Sequence, residues 1–369
     1  MPDDDLRPLD DAFIGGVRAR FSAFADGLPG APLVLSHDDA DGLSSAAILR
    51  RAFAARGKAP ELRLVGRGEN AWSDAVAAEV ADRAAPALVV ADLGMRDRVL
   101  HPRMAVIDHH VPTGTPDGAT VVHGYGIDPT PSTSVLAHWC AEGMLGEGAD
   151  DLLWLAAVGL IGDYGDKAPF DIVPRAKKRY GAGKLRELVS LVNAPRRSAS
   201  GDARPALDLL LNADDPADAL SGRHPEAQAC QEAREDVQAA LADGRKQPPK
   251  FGSRYGGGVA IVRLDSPCQI HPLIAQSWIG RLRGAMVFAA NFGFQPGMVS
   301  FSGRTKGDGD LTAFLAAHRP EGADPLLYGN GHRKAAGGAL RGEVWNDLMD
   351  DLGFGPDLRW GRDSAERDR

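Results

Sequence analysis

The chain has 369 residues, 44% hydrophobic and 25% charged, with a formal net charge of −8. That length exceeds what one core serves well, so two domains are expected, and the ordinary composition excludes a disordered chain. The acidic balance excludes a general nucleic-acid coat, which needs a broad basic surface to displace counterions. Three scattered cysteines, Cys140, Cys230 and Cys268, form no C-x-x-C pair and exclude a disulfide framework or a structural zinc site. The N-terminus is acidic and polar, the reverse of a signal peptide, and no uncharged apolar run reaches the ~18 residues of a membrane span. A cytoplasmic protein with no membrane partner is expected.

Phe13, Val17, Phe21 and Phe24 recur at helical spacing and predict a helix over about 10–26. Residues 31–36 read as a buried strand, 42–56 as a helix, 61–65 as a strand and 71–83 as a helix. Strands follow at 87–92 and 103–108, then helices at 132–145 and 151–163. This alternation indicates an α/β protein with a mostly parallel sheet and helices on both faces. Ligands of such sheets bind beyond the carboxyl ends of the strands. Residues 193–206 carry the Pro, Ser and Gly content of a loop or linker, 224–243 read as a helix, and 244–250 as a break. Beyond about 255, strands are expected at 257–264, 284–291 and 297–304, with helices after His271-Pro272 and near 310–318. The expected organisation is a domain over 1–193, a linker and helical connector over 194–250, and a smaller α/β domain with a mixed sheet over 251–369. A charged, frayed end is expected after about 360.

Four clusters carry chemistry: His37-x-Asp39-x-Asp41-Gly42, then Asp92, then Asp108-His109-His110, then Asp163. Each alone is compatible with turn or capping chemistry. Together, carboxylates and imidazoles at neighbouring strand ends repel unless something balances them. Divalent cations do so, and a donor set without thiolates suits Mn²⁺, Mg²⁺ or Fe²⁺, with ligands enough for two ions. No protein nucleophile is advertised: there is no G-x-S-x-G, and 181–185 fails as a phosphate loop because Leu185 replaces Ser or Thr.

The order H-x-D-x-D-G, D, D-H-H, G-D resembles the DHH phosphoesterase superfamily, and residues 328–340 resemble the Gly-rich signature of the DHH-associated C-terminal domain. The pairing resembles RecJ-type exonucleases and oligoribonuclease-like phosphodiesterases, over roughly 30–170 and 255–345. The resemblance implies a catalytic domain followed by a substrate-binding domain, and two divalent cations, Mn²⁺ ahead of Mg²⁺. It implies His37, Asp39 and Asp92 on one cation, with Asp41, Asp92, His109 and Asp163 on the other. Asp108 is implied to orient His109, and His110 to face the scissile phosphate. Gly329, Gly331 and His332 are implied to bind substrate phosphate, with Arg304 as a clamp. Asn330 departs from the three-glycine pattern but tolerates a left-handed backbone. Asp38 receives no role.

The function implied is a two-metal, water-attack phosphodiesterase or nuclease acting on single-stranded DNA or RNA or on short oligonucleotides. The first-motif spacing looks RecJ-like, although the chain is short for the extra oligonucleotide-binding module of bacterial RecJ. Alternatives are a phosphodiesterase or phosphatase for pAp or a cyclic dinucleotide, and a non-catalytic nucleic-acid-binding scaffold. The scaffold is disfavoured because every matched ligand position is filled. His101, His123, His138, His224 and His318 read as structural, and His271 as a helix cap. The basic runs 175–179, 195–198 and 245–250 read as solvated faces.

Overall fold

The structure, a computed structural model, describes residues 6–254, 258–282, 286–325 and 327–361. The charged end expected after about 360 lies almost wholly outside them, as do residue 257 and residues 284–285 at the starts of two expected strands. The chain divides into two compact units, Met1–Arg196 with Gly201–Glu232, and Arg197–Ser200 with Ala233–Arg369.

The first unit runs β1 (Arg7–Pro8), α1 (Asp11–Asp26), β2 (Leu33–His37), α2 (Ala40–Ala55), β3 (Glu61–Val65), α3 (Asp74–Asp82), β4 (Leu88–Ala91), β5 (Met104–Asp108), β6 (Thr120–His123), β7 (Ile127–Asp128), α4 (Thr133–Leu145), α5 (Leu153–Tyr164), α6 (Ile172–Tyr180), α7 (Ala182–Val192), α8 (Ala194–Arg197), α9 (Arg204–Asn212) and α10 (Pro216–Ala219). The helix α11 (Pro225–Gly244) gives its first turns to this unit and the rest to the second. Five strands form a wholly parallel sheet in the order β3-β2-β4-β5-β6. Strand alternation explains why both faces are covered. Val34, Val89, Ala91, Ala105 and Ile107 turn to a core shared with α1, α2, α4 and α5. Leu33, Leu35, Leu88, Val90, Met104 and Val106 turn the other way, onto Val76 and Val80 of α3. Parallel strands buried on both sides need such nearly continuous apolar runs.

The order reverses at β2, whose neighbours are β3 and β4, so the switch point lies between β2 and β4. There the chain turns sharply from β2 into α2. A Cβ on Gly42 would sit 2.4 Å from the His37 carbonyl oxygen, so only glycine fits. Asp39 caps α2 by accepting from the backbone N–H groups of Asp41 and Gly42, both at 3.1 Å. The cap starts α2 at Ala40, two residues before the expected 42, and puts Asp41 in its first turn.

The loop expected over 193–206 instead holds α8 and the start of α9. Ala206, Leu207, Leu209 and Leu210 are fully buried in the first core, a 3.6-residue pattern that the Pro and Ser content masks. The second unit contains β8 (Pro249–Phe251), β9 (Val259–Leu264), α12 (His271–Ile279), β10 (Met286–Gln295), β11 (Met298–Arg304), α13 (Leu311–Ala317), β12 (Tyr328–His332), β13 (Ala335–Arg341) and α14 (Gly342–Leu352). Its sheet is mixed, β12-β13-β11-β10-β9-β8, with β9 and β10 parallel and the other pairs antiparallel. Ile261, Phe288, Ala290 and Phe301 pack on α13 and α14, while Val262, Leu264 and Ala289 pack on Val237 of α11 and Ile274 of α12. Among the described residues no helix is long and apolar enough to cross a membrane.

Candidate metal centre

The four clusters meet at the carboxyl edge of the parallel sheet. His37 ends β2, Asp92 follows β4, Asp108 ends β5 with His109 and His110 just beyond, and Asp163 lies in the last turn of α5. Asp92 leaves its strand with a left-handed backbone, φ +63°, uncommon for any residue but glycine and best tolerated by Asn and Asp. That conformation belongs to a carboxylate buried at the middle of the cluster, where strained backbone often marks function.

Three groups of donor atoms form, each with its atoms within 4.8 Å of one another: His37, Asp39 and Asp92; Asp41, His109 and Asp163; and Asp92, His109 and His110. In the first, His37 Nδ1 is 3.1 Å from Asp39 Oδ2 and 3.6 Å from Asp92 Oδ2. In the second, His109 Nε2 is 3.2 Å from Asp163 Oδ2 and 3.9 Å from Asp41 Oδ2. Asp92 joins them, its Oδ1 lying 3.6 Å from His109 Nε2 and 4.0 Å from His110 Nδ1. All six residues expected as ligands are therefore brought together.

The start of α4 holds two of these carboxylates in place. Asp41 Oδ2 accepts from the Thr133 backbone N–H at 2.7 Å, and its Oδ1 accepts from the Ser134 N–H at 3.0 Å and the Ser132 hydroxyl at 2.9 Å. The Thr133 hydroxyl donates to Asp92 Oδ1 at 2.9 Å. A helix N-terminus suits a carboxylate through its free N–H groups and dipole. On α5, a Cβ at Gly159 would stand 2.7 Å from Asp41 Oδ1, so glycine makes room for the carboxylate one turn before Asp163.

Electrostatics show what the protein leaves unbalanced. Burial, together with the charges of Asp163 and Asp92, pushes the Asp41 carboxyl well above its usual range. Burial also raises Asp163, with the charges of Asp39 and Asp92 adding to it. Against burial, Asp39 and Asp92 hold the His37 imidazole well above its ordinary value, and Asp163, Asp92 and Asp41 do the same for His109. Also against burial, His37 and Arg196 hold Asp39 well below. Such a cluster takes up protons because it lacks cationic charge. His109 adds a geometric sign: its Nε2 is buried and faces three carboxylates, the nearest being Asp163 Oδ2 at 3.2 Å. A carboxylate and imidazole donor set without thiolates, with one ring nitrogen aimed inward, fits divalent cations.

Asp108 departs from the expectation. It accepts from the Gly94 N–H at 2.8 Å and the His110 N–H at 2.7 Å, and its Oδ1 lies 3.4 Å from His110 Nδ1 and 3.8 Å from His123 Nε2. It thus serves His110, while His109 Nδ1 meets the Tyr164 hydroxyl at 3.0 Å. Successive side chains at the end of a strand point to opposite sides, so Asp108 and His109 diverge. Asp38, without an expected role, is buried with its carboxylate 3.7 Å from Arg196 Nη1. Arg196 also lies 3.9 Å from Asp39, so this member of the basic run 195–198 is no solvated face. The Ser-Thr-Ser run was readable as a helix start. Arg196 was visible only as part of the basic run 195–198, and Tyr164 and His123 had no such signal, being isolated residues brought in by folding.

In the second unit, Gly329 and Gly331 take φ of +77° and +132°, whereas Asn330 is not among the positive-φ residues. Asn330 and His332 sit in the edge strand β12, opposite Gly337 and Ala335 of β13. A Cβ on Gly331 would lie 2.3 Å from the Ala335 carbonyl oxygen, so a close strand approach requires this glycine. Arg304 ends β11, with Nε donating to Gln276 at 3.2 Å and Nη1 to Ser302 and Gly303, both at 2.8 Å.

No protein-family profile matches the sequence, and no curated protein matches it. Solved structures do. RecJ from Thermus thermophilus in complex with Mn²⁺ is similar with a TM-score of 0.67 at 20% identity, covering 92% of this chain and 54% of that one. The chain thus spans about half the length of that protein. The exonuclease RecJ bound to manganese is similar with a TM-score of 0.64 at 21% identity, covering 92% and 93%. The DHH domain of a member of a ribosomal-protein family is similar with a TM-score of 0.63 at 16% identity, covering 95% and 94%. With its parallel sheet flanked by helices and its second, mixed sheet, the chain shares the fold of RecJ and of that DHH domain.

Proposed function

We propose that the protein is a divalent-cation-dependent phosphoesterase of the cytoplasm that hydrolyses phosphodiester bonds in single-stranded nucleic acid or short oligonucleotides. The observation that carries this reading is the convergence of His37, Asp39, Asp41, Asp92, His109 and Asp163 at one sheet edge, with the buried His109 Nε2 facing three carboxylates. His37, Asp39 and Asp92 would hold one cation, and Asp41, Asp92, His109 and Asp163 would hold the other, with Mn²⁺ ahead of Mg²⁺. When bound, the pair supplies Lewis-acid activation of water and offsets the charge that develops on phosphoryl oxygens.

The remaining work falls to side chains. Asp108 holds His110 through the backbone N–H and through Nδ1, which leaves Nε2 of that half-exposed ring to donate to a phosphoryl oxygen. The N-terminus of α4 holds the Asp41 and Asp92 carboxylates in position before substrate arrives. In the second unit Arg304, Gly329, Gly331 and His332 are assigned to substrate phosphates. Arg304, already fixed by three hydrogen bonds, would present a pre-oriented guanidinium.

The test is product analysis on 5′-phosphorylated DNA and RNA strands of varied length with Mn²⁺, beside Asp163→Ala. Cleavage by the wild type and its loss in the variant is expected. Inertness toward every strand, or hydrolysis of pAp or a cyclic dinucleotide alone, would overturn the reading.

A further inference from the structure

Tyr164 is the last residue of α5, directly after Asp163. Its hydroxyl lies 3.0 Å from His109 Nδ1, and the two rings meet edge to face, 5.9 Å apart at 79°. Yet Tyr164 as a whole is 44% exposed, one of the few large apolar residues open to solvent among the described residues. A side chain tied at its tip to a ring of the charged site, yet nearly half exposed, calls for explanation.

Two physical consequences follow. Because Asp108 serves His110, the Tyr164 hydroxyl is the hydrogen-bond partner that the described residues offer to His109 Nδ1. If Nδ1–H donates to that oxygen, the lone pair of Nε2 must point toward Asp41, Asp92 and Asp163, as a cation ligand requires. The half-exposed side chain, meanwhile, carries an aromatic ring beside the place where the phosphate would react. An inorganic polyphosphate or a sugar phosphate has no π face to meet it, whereas every nucleobase does.

We propose that Tyr164 is both a positioning and a specificity residue: its hydroxyl fixes the tautomer and orientation of His109, and its ring stacks on the nucleobase next to the scissile phosphate. The proposal rests on the phosphoesterase reading above and narrows the substrate to strands with an unstacked base at that position.

The experiment uses the full chain as wild type, Tyr164→Phe and Tyr164→Leu, with circular dichroism to confirm folding. Mn²⁺ affinity of the metal-free protein is measured by calorimetry. The kcat/KM is measured, at saturating Mn²⁺, for an ordinary oligonucleotide and for one abasic at its terminal nucleotides. Tyr164→Phe should weaken Mn²⁺ binding by about tenfold and keep the preference for the strand with bases. Tyr164→Leu should weaken Mn²⁺ binding to the same extent and also lose about tenfold of that preference. Wild-type Mn²⁺ affinity in Tyr164→Phe, or an unchanged preference in Tyr164→Leu, overturns the proposal. A wild type that binds no Mn²⁺ or cleaves neither strand would instead remove the phosphoesterase reading, and this proposal with it.

Discussion

The first unit carries two dense charge clusters with opposite electrostatics. Along β3 and α3, Arg63 meets Glu69 at 2.5 Å and Glu79 at 3.0 Å, while Arg83 meets Glu79 at 2.6 Å and also contacts Glu61. Here the guanidinium groups of Arg63 and Arg83 lower Glu79 to about 2. At the sheet edge, Asp41 and Asp163 are pushed upward instead, because burial and like charges outweigh the histidines beside them. The surface network is neutralised by the chain itself. The sheet edge is left short of positive charge, and that deficit separates a binding site from a salt-bridge lattice.

The largest way to break this contrast is Asp92→Asn, which keeps a residue tolerant of the left-handed backbone but removes the shared carboxylate. If charge stabilisation worth several kcal/mol is lost, Mn²⁺-dependent cleavage of a labelled strand should fall about a thousandfold or more. A variant retaining a tenth of wild-type activity would take Asp92 out of the chemistry. Next comes thermal unfolding with and without cation. Mn²⁺ at about a hundred times its Kd should stabilise the wild type by about 2.7 kcal/mol, and Asp163→Asn should lose most of that gain. Glu79→Gln should keep all of it, since the network along α3 needs no ion.

A third effect sharpens the comparison through its sign. In metal-free protein, Asp163→Asn removes a partly buried charge that faces Asp39 and Asp92, so the variant should be more stable than wild type by about 1 kcal/mol. Chemical denaturation in chelator measures it, and a destabilised variant would contradict the claimed charge deficit. The smallest effect belongs to the surface. Glu79→Gln should cost about 0.5–1 kcal/mol at neutral pH, discounted for partial exposure. The depressed folded-state value sets the window: this contribution is fully present above the unfolded value near 4.5 and is lost as pH falls through about 2. Denaturation curves of variant and wild type should therefore converge in strong acid.

Much of the candidate centre was legible because His37, Asp92 and Asp108 sit where strands end, and strand ends are readable from short continuous apolar runs such as Leu33–Leu35 and Leu88–Val90. Helix α2 was misplaced by two residues, since the decisive signal was the Asp39 side-chain cap rather than the apolar stripe. Helix α9 was hidden behind Pro and Ser residues whose composition outweighed the four buried apolar positions after them. The role expected for Asp108 was displaced because Asp108 and His109 point to opposite sides of the strand end, which leaves Asp108 to His110 and His109 to Tyr164.

By itself, the order of residues determined which groups carry charge, where strands stop, and that a donor set of carboxylates and imidazoles without thiolates wants hard divalent cations. Folding alone decided that Asp92 stands between the two donor groups, that the start of α4 clamps Asp41, and that Tyr164 rather than Asp108 faces His109. The physical reason is that hydrophobic periodicity is local and survives in a linear pattern. Contacts such as Asp41 with Thr133 or His109 with Tyr164 join residues 92 and 55 positions apart, and only packing the sheet against its helices brings them within hydrogen-bond reach.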